Sequence, residues 1–211
     1  MRSLPTLLGL ALALATAACG STDGQEVTRE LAEPATPPVA PEPVNTTLID
    51  LQDPAELERL FIVNDGVMGG LSQGYLSRGE EGLRFSGDLS LDNNGGFSSF
   101  RSNRDLDLSY AEGGRIVLRF RGDGRVYRFR LRMTDDFNVP SYTAEFGTKE
   151  GELMERSFTR EDFVCTWRGY LVRDAPELDL SQVRALGFVI ADKKEGPFEF
   201  ELLGVDVRSK R

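Results

Sequence analysis

The chain has 211 residues, with 25 basic side chains, 34 acidic side chains, no histidine and a formal net charge of −9. This acidic balance argues against a nucleic-acid-binding function and against electrostatic adhesion to anionic lipid. Without histidine, histidine-based catalytic triads and histidine metal sites are excluded. We therefore expect a binding protein with no catalytic site and no cofactor.

The N terminus has the order of a bacterial export signal over residues 1–18: Arg2, the apolar run LLGLALALA and then small residues. That run is shorter than the roughly twenty residues needed to span a membrane. The tetrapeptide TAAC, ending at Cys19, resembles a lipobox, which implies lipid attachment at Cys19 and a membrane anchor. The alternative is ordinary cleavage near Ala18. Gly20 implies sorting to the outer membrane, on its periplasm-facing side.

Residues 19–46 are rich in Pro, Glu, Ala and Thr and contain few large apolar side chains, so they are predicted to form a disordered, extended linker. Residues 47–211 are long enough to form one domain with its own core. Cys165 has no disulfide partner if Cys19 is lipidated, and with no histidine to activate it we expect a small buried apolar side chain.

A short helix is predicted at the start of the domain, in the sequence DPAELERLF, residues 53–61. Asp53 suits the N-cap, and Pro54 suits the first helical position. No other segment shows a helical pattern, so the remaining regular elements are expected to be strands.

The segment NDGVMGGLSQG, from Asn64 to Gly74, contains four glycines in eleven residues. It predicts a loop between early strands, because glycine allows positive φ and close backbone packing. Met68 either fills the end of the domain or offers an adaptable apolar contact. The loop is either purely structural or binds a partner, and in the second case Asn64, Asp65 and Met68 are the candidate contacts.

The alternation in LRFSGDLSL, residues 83–91, predicts a half-buried strand. The following SLDNNGGFSS predicts a tight turn in which Asn93 and Asn94 adopt positive φ. These asparagines are further candidate ligand contacts. The segment lacks the ligand spacing of a calcium loop, which leaves only a calcium ion held by backbone carbonyls as a metal alternative.

The segment RIVLRFRGDGRVYRFRLRM, residues 115–133, contains an Asp123-Gly124 pair, which predicts a two-residue β-hairpin. This register puts the apolar side chains on one face and the arginines on the other. The apolar residues are Ile116, Leu118, Phe120, Tyr127, Phe129, Leu131 and Met133.

The opposite face of this predicted hairpin forms an arginine stripe, an unusual feature in an acidic protein. Its members are Arg119, Arg121, Arg128, Arg130 and Arg132. The simpler interpretation is an outer sheet face paired with carboxylates such as Glu199 and Glu201. The alternative is an anion-binding or partner-binding face, because guanidinium groups suit carboxylates and phosphates.

Strands are also predicted at residues 59–63, 142–146, 153–158, 185–191 and 198–207. Many short strands without alternating long helices indicate an all-β fold, an antiparallel β-sandwich or jelly roll. Sequence gives no sign that two carboxylates converge in a cleft, which again argues against an enzyme.

Four segments in order, NDGVMGGLSQG, FSGDLSLDNNGGFSSFRS, RGDGRVYRFRLR and GFVIADKKEGPFEFELLGVDV, resemble the complex I intermediate-associated protein 30 (CIA30) family. The resemblance implies a galactose-binding-like β-sandwich and, in mitochondria, a non-enzymatic assembly factor for NADH:ubiquinone oxidoreductase. The chain departs from the family pattern at Phe61, where a Trp is common, and at Leu153.

We therefore expect a lipid-anchored protein of the cell envelope that binds a protein partner, such as a respiratory membrane complex, and assists its assembly. The predicted lipid anchor lies on the opposite side of the inner membrane from the compartment that corresponds to the mitochondrial matrix. The alternative function is a carbohydrate-binding module. Aromatic residues exposed together on one face would favour carbohydrate, and an apolar loop patch near Met68 would favour a protein partner. Trp167 and most other aromatics fit core positions.

Overall fold

The computed structural model describes residues 45–102, 106, 108 and 114–208. The predicted signal peptide, Cys19 and almost all of the predicted linker lie outside these residues. Among the described residues, no helix has the length and apolar character needed to cross a membrane.

The described chain is built almost entirely of strands, with one short α-helix, α1 (Pro54–Leu57), near its start. The strands are β1 (Asn45–Thr47), β2 (Leu60–Asn64), β3 (Gln73–Arg78), β4 (Leu83–Leu89), β5 (Ser98–Ser102), β6 (Arg115–Arg121), β7 (Val126–Arg132), β8 (Ser141–Gly147), β9 (Leu153–Phe158), β10 (Val164–Trp167), β11 (Tyr170–Leu171), β12 (Ala185–Ile190) and β13 (Gly196–Arg208).

The strands form two antiparallel sheets. Sheet A has the order β3-β4-β13-β6-β9, with β1 also paired to β13. Sheet B has seven strands in the order β11-β10-β8-β7-β12-β5-β2. The predicted all-β sandwich is therefore confirmed.

The core lies between the sheets and combines aliphatic side chains with a cluster of phenylalanine rings. Phe85 of β4 contacts Phe100 of β5 with ring centroids 5.1 Å apart, and Tyr127 of β7 contacts Phe200 of β13 at 4.9 Å. Each pair joins one sheet to the other, and all four side chains are at most 1% exposed. Such interdigitated aromatic faces account for much of the apolar area that stabilises a sandwich.

The hairpin predicted at Asp123-Gly124 was wrong. Strand β6 pairs with β13 and β9 in sheet A, whereas β7 pairs with β12 and β8 in sheet B. The predicted inward positions of both strands are still correct, because two facing sheets turn their apolar sides toward the same core. The Asp123-Gly124 segment thus carries the chain from sheet A to sheet B and does not form a hairpin within one sheet.

The side chain of Asp123 holds this crossing in place. Its carboxylate accepts hydrogen bonds from Arg125 N at 3.0 Å, Tyr127 Oη at 2.9 Å and Glu199 N at 2.8 Å. The hydrogen bond from Glu199 N joins this crossing to β13 of sheet A. This tertiary bonding competes with the turn preference of the Asp-Gly pair.

Several local predictions are confirmed. Asp53 caps α1 by accepting a hydrogen bond from Ala55 N at 2.9 Å, with proline at the first turn. Asn93 and Asn94 have φ values of 53° and 59° in the turn after β4. Cys165 is buried and unpaired, and burial raises the pKa of its thiol.

Candidate functional site

The glycine-rich loop between β2 and β3 is folded around the carboxylate of Asp65. Asp65 is 1% exposed. It accepts hydrogen bonds from Ser72 N and Oγ at 3.0 and 2.6 Å and from the amides of Gly96 and Phe97 at 2.7 and 3.2 Å. Burial by itself raises the pKa of Asp65, but these hydrogen bonds together outweigh it and hold the pKa below its usual value. Asp65 therefore fastens the loop to the segment that precedes β5.

Two glycines allow the backbone to pass this close to the carboxylate. A Cβ atom at Gly70 would lie 2.4 Å from Asp65 Cγ, and one at Gly95 would lie 2.7 Å from Asp65 Oδ2. Gly69 has a φ of 89°, a left-handed conformation that glycine adopts without strain. Packing around one buried carboxylate thus requires glycine at Gly70 in the loop and at Gly95 in the adjoining turn.

Asn64 has a similar internal role. Its side-chain oxygen accepts hydrogen bonds from Ser98 Oγ at 2.6 Å and from Gly74 N at 3.2 Å. We assign Asn64, like the buried aspartate beside it, to holding the shape of the loop. The candidate contacts Asn93 and Asn94 are exposed in the adjoining turn.

The outer side of the loop is apolar. Val67, Met68 and Leu71 are 78%, 69% and 56% exposed, and Leu91 in the adjoining turn is 42% exposed. A hydrogen bond of 3.1 Å from Ser72 Oγ to a backbone carbonyl fastens that turn to the loop. Met68 therefore points outward and does not fill the end of the sandwich. We call these four residues the apolar loop end, and such a surface is typical of a protein-binding site.

The arginine stripe is divided between the two outer faces of the sandwich. Arg119 and Arg121 lie on β6 in sheet A, whereas Arg128, Arg130 and Arg132 lie on β7 in sheet B. The expectation of a single arginine-rich face was wrong for the same reason as the hairpin, because the two strands belong to different sheets.

Several of these arginines have carboxylate partners, as the simpler interpretation required. The pairs are Arg119–Asp206 at 3.6 Å, Arg121–Glu81 at 3.2 Å and Arg128–Glu145 at 2.7 Å. The predicted partners differ from the observed ones. Glu199 lies 3.8 Å from Arg84, and Glu201 accepts a hydrogen bond from a backbone amide in the turn between β3 and β4.

The remaining arginines line a cavity on the outer face of sheet B. Gly187 of β12 pairs with Arg130 of β7 on one side and with Arg101 of β5 on the other. Residues paired across strands share a face, so the missing side chain of Gly187 leaves a gap between two arginines. The cavity has a volume of about 170 Å³. Its lining is Val63, Phe97, Ser99, Phe100, Arg101, Arg130, Arg132, Leu186, Gly187 and Val189. We call this cavity the arginine groove.

Contacts within the chain orient two of the three arginines. The Arg101 guanidinium lies 3.5 Å from the ring centroid of Phe137 and 4.5 Å from that of Phe61. Arg132 donates a hydrogen bond of 3.0 Å to the carbonyl of Val139. Among the described residues, the buried Nε atoms of Arg101 and Arg130 have no hydrogen-bond partner.

The groove concentrates positive charge that is poorly hydrated. Burial, followed by repulsion from Arg132 and Arg128, lowers the pKa of Arg130 to about 10. Burial and repulsion from Arg101 lower the pKa of Arg132 to about 10 as well. All three guanidinium groups remain charged at neutral pH, so their mutual repulsion carries an electrostatic cost that an anion between them would offset.

The sequence profile of complex I intermediate-associated protein 30 matches residues 49–202. The chain belongs to the CIA30 family. The match extends from just before α1 into β13 and includes the apolar loop end and the arginine groove. The resemblance predicted from four sequence segments is thereby confirmed.

Solved structures with the same fold as this CIA30 protein include carbohydrate-binding modules. A family 11 module from Clostridium thermocellum, solved in complex with a β-1,3-1,4-mixed-linked tetrasaccharide, is 14% identical with a TM-score of 0.56, covering 79% of this chain and 96% of that chain. The family 11 module of the C. thermocellum cellulase Lic26A-Cel5E is 12% identical with a TM-score of 0.57, covering 79% and 95%. The agarase AgWH50C is 13% identical with a TM-score of 0.51, covering 79% and 25%. At these identities the likeness establishes the fold alone.

In the described part of the CIA30 domain, the two most exposed tyrosines lie on different sheets. Tyr75 is 58% exposed on β3, an edge strand of sheet A, and Tyr170 is 79% exposed on β11, an edge strand of sheet B. Trp167 is half-buried and pairs with Tyr170 across β10 and β11, so these two aromatic side chains share a face at the edge of sheet B. Tyr75 lies on the other sheet and does not join this pair. Among the described residues there is also no cluster of three or more Asp, Glu, Cys or His side chains suited to a metal ion.

Sequence reasoning missed Arg101 and Gly187 as residues of the groove. Arg101 sits in FSSFRS, where its parity is opposite to that of the core residue Phe100, which indicates an outward side chain. Gly187 interrupts the apolar run of β12, a pattern that can mark close approach of a ligand. Neither signal shows that the two residues lie in one cross-strand row, because β5 and β12 pair over a long sequence separation.

Replacing Arg130 with methionine is expected to raise the free energy of unfolding by about 1 kcal/mol, because it removes a desolvated charge without a carboxylate partner. The melting temperature should rise by about 2–4 °C, measured by calorimetry in a buffer without multivalent anions. Arg128→Met is the control on the same strand, and it should not stabilise because it leaves Glu145 without its partner. A lower melting temperature for Arg130→Met would show that the arginine has a stabilising structural role.

Proposed function

We propose that this CIA30 protein is a lipid-anchored protein on the periplasmic side of the cell envelope. It acts as a chaperone-like factor that assists assembly or stability of a membrane protein complex without catalysis. The observation that carries the proposal is the apolar loop end, in which Val67, Met68 and Leu71 are each more than half exposed. Family membership supports an assembly role, and the lipobox-like sequence at Cys19 supports the membrane anchor.

The loop is suited to protein recognition because its apolar side chains project from a fixed backbone. The hydrogen bonds to Asp65 hold the loop, so little conformational freedom is lost when a partner binds. Met68 can adapt to different apolar surfaces, since its side chain is unbranched and polarizable. A respiratory membrane complex is the partner class that family membership favours.

A photo-crosslinking amino acid at position 68 of the full-length chain tests this proposal in living cells. We expect adducts with subunits of one membrane complex, identified by mass spectrometry. The matched control carries the same amino acid at Tyr170, which is 79% exposed on the far edge of sheet B. Cys19→Ser should abolish the adducts if the lipid places the domain beside its partner. Equal labelling from both positions, or none from position 68, would contradict the proposal.

Carbohydrate binding is the second candidate, because the fold is shared with carbohydrate-binding modules. Retardation of the purified domain in gels containing cell-envelope polysaccharide would support it. Leu71→Asp separates the two candidates, because Leu71 is also exposed in the apolar loop end. The substitution should abolish crosslinking from position 68, and it should leave retardation by a polysaccharide unchanged.

A further inference from the structure

The arginine groove is formed by paired strands of sheet B and is separate from the apolar loop end. Arg130, Gly187 and Arg101 occupy one cross-strand row of β7, β12 and β5. A Cβ atom at Gly187 would lie 2.6 Å from the carbonyl oxygen of Phe100, so glycine is needed here for strand packing as well as for the gap. The cavity therefore has a floor of rigid, paired backbone.

The positive charge of the groove is not neutralised within the described part of the chain. Arg128, the neighbour on β7, uses its Nε to bind Glu145 at 2.7 Å. By contrast, no described carboxylate forms an ion pair with Arg101, Arg130 or Arg132. Asp136 raises the pKa of Arg132 by its charge but forms no ion pair with it. Because aromatic rings and the Val139 carbonyl orient Arg101 and Arg132, donors remain available for a ligand.

The size and charge of the groove indicate the class of ligand. Its volume of about 170 Å³ is below the roughly 300–1,000 Å³ of pockets for drug-sized ligands, and it suits one small charged group. A single carboxylate is satisfied by one guanidinium fork, whereas a phosphate group brings close to two negative charges and three acceptor oxygens. Three arginines around one cavity therefore match phosphate better than carboxylate.

We propose that the arginine groove is a phosphate-binding site, in which Arg101, Arg130 and Arg132 donate hydrogen bonds to the oxygens of one phosphate group. The phosphate neutralises the mutual repulsion of the three guanidinium groups and fills the gap above Gly187. Val63 and Val189 line the same cavity and limit access of water to the charge pairs. The phosphate belongs either to a soluble ester or to a lipid headgroup.

Calorimetric titration of the purified domain with inorganic phosphate and with glycerol phosphate tests the site. We expect saturable binding that raises the melting temperature. Arg130→Gln should weaken the affinity by about tenfold or more, because it removes hydrogen bonds made by a charged donor. Arg119→Gln is the matched control, since it makes the same charge change on the outer face of sheet A.

Vesicles distinguish the two sources of the phosphate. Co-sedimentation with phosphatidic acid vesicles but not with phosphatidylcholine vesicles, lost in Arg130→Gln, would assign a lipid headgroup. Binding of glycerol phosphate without co-sedimentation would assign a soluble ester. Three results would each overturn the proposal: no binding of either phosphate at millimolar concentration, equal weakening by Arg119→Gln, or equally tight binding of acetate. The melting temperature of each variant shows whether it is folded.

Discussion

Replacing Arg125 with methionine is expected to lower the free energy of unfolding by about 3–5 kcal/mol, because it leaves the carboxylate of Asp192 buried without its partner. Arg125 is 8% exposed. Its Nε and Nη2 donate to the two carboxylate oxygens of Asp192 at 3.1 and 2.7 Å. The pair is bidentate, which is the strongest geometry for an arginine and a carboxylate.

The same guanidinium also donates to backbone carbonyls in the turn between β12 and β13 and in the first two residues of β13. It donates to the carbonyls of Gly196 and Pro197 at 3.0 and 2.8 Å, and to that of Lys194. Arg125 follows the crossing from β6 to β7, so it fastens together two connections between sheet A and sheet B. Burial lowers the pKa of Arg125, but the hydrogen bond and charge of Asp192 outweigh this and leave the pKa raised.

Urea denaturation monitored by tryptophan fluorescence and far-ultraviolet circular dichroism measures this effect. Arg119→Met is the control, because its side chain is 50% exposed and lies 3.6 Å from Asp206, and it should change stability by less than about 0.5 kcal/mol. The double variant Arg125→Met with Asp192→Asn should lose less free energy of unfolding than the sum of the two single variants, because it leaves no buried charge without a partner. A loss below about 1 kcal/mol for Arg125→Met would show that Arg125 does not fasten these two connections.

Replacing Asp65 with asparagine is expected to cost about 2–4 kcal/mol and to loosen the apolar loop end. The carboxylate faces only hydrogen-bond donors, from Ser72, Gly96 and Phe97. An amide group would place its own N–H donors against at least one of them and leave that donor unsatisfied. Hydrogen exchange of the three backbone amides should become faster, and crosslinking from position 68 should weaken.

The contribution of Asp65 also predicts a pH dependence. Its pKa is lower in the folded protein than the ordinary value of 3.8 expected in the unfolded chain. The stabilisation is therefore fully present above that ordinary value and is lost as the pH falls through the folded pKa. Denaturation curves between neutral pH and pH values below about 4 should show a smaller acid-induced loss for Asp65→Asn than for the wild type.

Asp92→Asn provides the matched control, because Asp92 is an exposed aspartate in the turn beside the loop. It should leave stability, amide exchange and crosslinking nearly unchanged. If both substitutions had the same small effect, the loop would not depend on the buried carboxylate, and the proposed preorganisation of the apolar loop end would be wrong.

The sequence alone predicted the fold class and the burial of individual positions. Alternation in residues 83–91 and 126–132 indicated which side chains face the core, because successive residues of a strand point to opposite sides. The N-cap at Asp53 and the positive φ of Asn93 and Asn94 were equally accessible. These features depend on the chemistry of neighbouring residues, which is fully present in the local sequence.

The tertiary structure decided which strands pair and hence what each polar residue does. The Asp123-Gly124 turn signal was outweighed by hydrogen bonds from distant segments such as Glu199 N. The glycine-rich loop was recognisable, but its buried carboxylate was not, because Gly96 and Phe97 lie about thirty positions away. The groove between Arg101 and Arg130 exists only because β12 inserts Gly187 between their strands. Local sequence determines the inward or outward side of a residue in a strand, whereas its neighbours on that side depend on pairing between segments far apart in the chain.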